Sequence, residues 1–101
     1  MRIWILAAVF VAGAGAAQAG TIERACLQSD RPGASRALCG CIQSVADMTL
    51  NRSDQRLAAT FFKDPQKAQD VRMSKKDAHD TFWDRYQNFG VTAAALCDIG
   101  G

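Results

Sequence analysis

The stretch RALCGCIQSVADMTL, Arg36 to Leu50, places two cysteines one residue apart inside an amphipathic helical pattern. At about 100° per residue, with Leu38 at 0°, Ile42 falls at about 40°, Val45 at about 340° and Thr49 at about 20°. These apolar positions define a buried stripe centred near ~20°, with Cys39 at about 100° and Cys41 at about 300° on its two flanks. Side chains diverging in this way cannot bond to each other unless the helix breaks, because a disulfide requires Cβ atoms about 4 Å apart. Each thiol is therefore aimed at a different neighbouring element. Cys26 and Cys97, the remaining cysteines, are the available partners. Cys26–Cys39 with Cys41–Cys97 satisfies the wheel, and so does Cys26–Cys41 with Cys39–Cys97.

Around this segment the boundary signals predict further helices. Thr21 reads as the N-cap of a short helix through IERACLQ, with Glu23 in the first turn, where the helix dipole favours negative charge. Pro32-Gly33 marks a turn within Ser29–Ser35, and Ser35 caps the cysteine-bearing helix. Ser53 reads as the next N-cap, followed by Leu57, Ala58, Phe61 and Phe62 on one side. Asp64-Pro65 then opens a short helix whose apolar positions are Ala68, Val71 and Met73. Ser74, with Asp77 in the capping-box position, starts a last helix from Lys75 towards Cys97. Its stripe is Ala78, Phe82, Tyr86, Phe89, Ala93 and Leu96, and Gly90 is a point where it could bend. No β-type alternation competes, so the fold class is all-α: a small disulfide-stapled bundle of about four to five short helices.

The N-terminus reads as an export signal. Met1-Arg2 precedes the apolar run IWILAAVFVA, and small residues lead to Ala17-Gln18-Ala19, a signal-peptidase pattern that predicts cleavage after Ala19. The run is too short to span a bilayer, and no later segment approaches the ~18 apolar residues that spanning needs. The domains expected are thus residues 1–19 as a cleaved secretory signal and residues 20–101 as one helical domain. The whole chain has a net charge of +2, and removal of Arg2 with the signal lowers this to +1. Such a balance argues against nucleic acid or anionic membrane as partner. Four cysteines in a short exported chain read as two disulfides, in a compartment where they persist.

Catalytic constellations are missing from the sequence. The single histidine, His79, has no zinc-type spacing to the cysteines, so no metal is expected. No phosphate-binding glycine loop and no nucleophile elbow occur, and neither cofactor nor enzymatic activity is predicted. A thiol-disulfide protein using Cys39 and Cys41 is the catalytic alternative, but no strand pattern supports a thioredoxin-like scaffold. In DTFWDRYQNFG the aromatic residues read chiefly as core. Trp83 falls at the edge of that stripe beside Asp80 and Asp84, and the three form a candidate patch for a cationic ligand or a protein partner.

IERACLQSDR, SRALCGCIQSVAD, RSDQRLAATFF, DPQKAQDVR and FWDRYQNFG together resemble a group of small exported four-cysteine proteins of alphaproteobacteria. The likeness spans essentially all of residues 20–101, and its motifs are structural. Members of that group have no assigned activity and in part carry the label "arginine transporter". The resemblance implies a periplasmic protein, and through the label a role accessory to arginine or amino-acid transport. One cleaved signal and no spanning segment leave nothing to line a path through a bilayer. The expectation is a periplasmic, non-catalytic binding or accessory module whose partner could be another protein.

Overall fold

The computed structural model describes residues 20–97; the expected export signal lies outside the described residues. Five helices follow one another among the described residues: α1 Thr21–Gln28, α2 Arg36–Thr49, α3 Arg52–Lys63, α4 Pro65–Met73 and α5 Asp77–Cys97. No strand occurs among the described residues, and the chain is the small all-α, disulfide-stapled bundle expected. No helix among them is long and apolar enough to cross a membrane.

Several helix starts differ from the sequence expectation, for local reasons. α1 is capped by Gly20, with Thr21 already helical. A Cβ at position 20 would overlap the side chain of Gln43, so glycine is the residue that permits this approach. Ser35 caps α2 as expected, its Oγ accepting from the Leu38 N–H at 3.1 Å. α3 is capped by Asn51 instead of Ser53, because Asp54 stands three residues after Asn51 and completes a reciprocal box. Asn51 Oδ1 accepts from the Asp54 N–H at 2.8 Å, and Asp54 Oδ2 accepts from the Asn51 N–H at 3.2 Å. Pro65 is the first residue of α4, where its missing N–H costs nothing. α5 begins at Asp77, two residues later than Lys75. Ser74 Oγ accepts from the Lys76 N–H at 3.2 Å, and the Lys76 carbonyl takes the N–H groups of His79 and Asp80. The helix then continues through Gly90 without interruption.

α2 is the central element, packed against both α1 and α5; α1 also lies against α3, and α4 connects α3 with α5. Cys26–Cys39 ties α1 to α2, and Cys41–Cys97 ties the far end of α5 to α2. The pairing left open by helix geometry is thereby resolved. Cys39 is not at the flank of the buried stripe, however. α2 buries Cys39, Ile42, Gln43, Val45 and Ala46, while Leu38 and Thr49 are only half-buried. The stripe is centred near ~70° on the same wheel, turned by about 50° towards Cys39. α1 causes this turn, since it lies on that side and brings Ile22 and Cys26 into the core.

Gln43 is the polar member of the α1–α2 contact. Its Oε1 accepts from the Glu23 N–H at 2.8 Å, and its Nε2 donates to Asp47 Oδ1 at 2.9 Å and Gln55 Oε1 at 2.8 Å. A buried amide is tolerated only with such partners. On α5 the aromatic residues pack inward as expected, with Tyr86 touching four rings. Its centroid lies 5.2 Å from Phe61, 5.5 Å from Phe82, 5.1 Å from Trp83 and 5.8 Å from Phe89. Two ends of the expected stripe are exposed instead, Ala78 and Leu96. Ala78 stands in the first turn, and Leu96 turns away because its neighbour Cys97 is the residue drawn to α2. On α4, Val71 is buried and Ala68 is half-buried against the core, but Met73 is exposed.

Candidate functional site

The loop between α1 and α2 shapes the most site-like feature. Pro32 and Gly33 occupy the middle of a turn in which the Ala34 N–H donates to the Arg31 carbonyl at 3.2 Å. Gly33 has φ of +85°, as the third position of a type II turn demands. The turn sets Arg31 so that its guanidinium carbon lies 5.4 Å from the centroid of the Phe62 ring, a cation–π distance.

Beneath this loop is an open cleft of about 460 Å³. It lies between the end of α1, α2, α3 and α5. The buried residues Cys26, Ile42, Phe61, Phe89 and Ala93 contribute to its lining, with the half-buried Leu38, Phe62 and Tyr86. Small-molecule sites have this character: mostly apolar, with a few polar groups that orient a ligand. Among the described residues, Arg31 is its one charged lining residue. Burial pushes the Tyr86 phenol above its usual range, and the nearby positive charge of Arg31 acts in the opposite direction. Ser29 also lines the cleft, but its hydroxyl donates to the Cys26 carbonyl at 2.7 Å.

Asp80, Trp83 and Asp84 do not line this cleft. Asp80 and Asp84 are exposed on α5, while Trp83 is half-buried against the core and tilted on Tyr86 at 44°. Arg85, on the same turn, is directed away from them towards Asp54 on α3. Its Nε donates to Asp54 Oδ2 at 2.6 Å and its Nη2 to Oδ1 at 2.8 Å. That pair holds the Asp54 carboxyl below its usual range, against the opposing effect of burial.

All four cysteines are disulfide-bonded, as expected. Cys26 and Cys39 are buried, whereas Cys41 and Cys97 are partly exposed. His79 is half-buried, with Nδ1 hydrogen-bonded to Ser74 Oγ at 2.7 Å. No cluster of metal-ligating side chains occurs among the described residues. No protein-family profile, curated protein or solved structure matches the chain.

The cleft was not legible as a unit, because its walls come from four separated segments. One signal did exist. Phe61 and Phe62 are adjacent on a helix and so about 100° apart, and a narrow core stripe accepts only one of two such rings. Phe61 is the buried one and Phe62 is half-buried, and both rings line the cleft.

Proposed function

We propose that the chain is a non-catalytic binding module of an exported, oxidising compartment, the periplasm if the N-terminal segment acts as a signal. The observation that carries this reading is the apolar cleft between α2, α3 and α5, with aromatic side chains presented to it. Two disulfides hold helices that form its walls and suit a compartment in which thiols are oxidised. An accessory role in arginine uptake finds less support in the cleft, where the one lining charge among the described residues is itself an arginine. A thiol-disulfide activity would need a reactive Cys39 or Cys41, and each is bonded to a partner on a different helix.

Two-dimensional amide NMR of the oxidised, exported protein tests the binding reading. Titration with octanol, octanoate and octylammonium at monomeric concentrations is expected to give saturable shifts at Ala34, Leu38 and Phe62 for at least one of them. Absence of saturable shifts at these residues with all three would sink the reading.

A further inference from the structure

We infer that the cleft takes a small amphiphilic carboxylate, whose apolar chain or ring enters between α2, α3 and α5 and whose carboxylate meets Arg31. This rests on the binding reading above and adds the ligand's charge. Arg31 is exposed and lines the cleft. The Pro32-Gly33 turn fixes the backbone on which it stands, and Phe62 lies under its guanidinium. It has no carboxylate partner among the described residues.

Charge then decides between apolar ligands of similar size. A carboxylate at the opening can accept two hydrogen bonds from the guanidinium fork, a geometry that also fixes its orientation. An ammonium head would meet a like charge on the border of a low-dielectric space, and a hydroxyl would forgo the charge-assisted bonds.

A second feature of the wall agrees with an entering ligand. Gly90 lies within α5 at the exposed border of the cleft, and a Cβ there would meet no atom within 4 Å. Close packing is therefore not what requires glycine. Glycine is, after proline, the weakest helix former, so the wall forgoes helix propensity at a position where a side chain would narrow free space.

The same NMR titration, with head group as the variable, tests the proposal. Octanoate is expected to bind at least tenfold more tightly than octanol and more tightly still than octylammonium. Arg31→Gln should abolish the preference for octanoate, and Arg31→Lys should keep part of it. Arg31 is exposed, so both variants should retain the parent spectrum away from the cleft. Equal affinities for octanoate and octanol would overturn the carboxylate assignment and leave the binding reading standing. Tightest binding of octylammonium would do the same. A preference that persists in Arg31→Gln would remove Arg31 from the site. Binding of none of the three would overturn this inference and the binding reading together.

Discussion

Asp54 and Arg85 are joined by two parallel hydrogen bonds between α3 and α5, 31 residues apart in sequence. The same carboxylate accepts the Asn51 N–H, so one buried side chain both caps α3 and clamps it to α5. Arg85 is partly open to water, which screens the charge attraction, whereas the hydrogen bonds to the buried carboxylate are less screened. Asp54→Ala is therefore expected to cost about 2 kcal/mol, from loss of the cap and of the charge-assisted bonds. Arg85→Ala should cost less than Asp54→Ala. Chemical denaturation of both single variants and the double variant checks this, and additive effects would show that the clamp contributes nothing.

A pH dependence follows from the same pair. The folded-state pKa of Asp54 is lowered by its bonds with Arg85, so its contribution is fully present above the unfolded carboxylate pKa of about 4. That contribution is lost as pH falls through the lower, folded value. Below about pH 4 the parent protein should lose stability more steeply than Asp54→Asn, and their urea midpoints should converge. Parallel midpoint-against-pH curves from pH 6 to 2 would contradict this linkage.

The two disulfides differ in span and in access. Cys26–Cys39 closes a separation of 13 residues and Cys41–Cys97 one of 56, worth about 3 and about 4 kcal/mol in the chain-entropy account. Their sum is comparable with the whole stability of a domain this small, so complete reduction should unfold most of it. With limiting dithiothreitol, the partly exposed Cys41–Cys97 bond should open before the buried Cys26–Cys39 bond. Alkylation and peptide mass mapping at successive times read that order directly. Earlier release of Cys26 or Cys39, or unchanged circular dichroism after full reduction, would count against this account.

Local signals were legible where a residue acts on its own neighbours. Ser35, Pro65 and the Pro32-Gly33 turn work through bonds or backbone restrictions within a few positions, and each marks an element correctly. The helix wheel excluded a Cys39–Cys41 bond for the same reason, but the final pairing depends on where α1 and α5 lie. Burial of Cys39 and Gln43 on α2 likewise follows from the approach of α1, which no property of α2 alone announces. Arg85 stands next to Asp84 in the sequence, and nothing local to α5 directs its side chain. Its choice of Asp54 comes from the packing of α5 on α3. The cleft is the limiting case, since it exists only between elements and its charged residue stands in a loop.

Gly20 and Gln43 supply the last prediction, a coupling between the start of the helical domain and its centre. A Cβ on Gly20 would press on the Gln43 amide, the far end of a side chain that could ordinarily swing away. Here that end is held by Glu23, Asp47 and Gln55, so moving it breaks hydrogen bonds in a largely buried setting. Gly20→Ala should consequently destabilise the domain by about 1 to 2 kcal/mol, or displace the start of α1 and weaken the Glu23 bond to a similar extent. Gln43→Ala, which removes all three contacts, should cost about 2 to 3 kcal/mol. In the Gln43→Ala background the obstacle is gone, and Gly20→Ala should become nearly neutral. A double-mutant cycle of denaturation midpoints measures the coupling. Equal effects of Gly20→Ala in both backgrounds would show that the close approach of these two residues does not position α1.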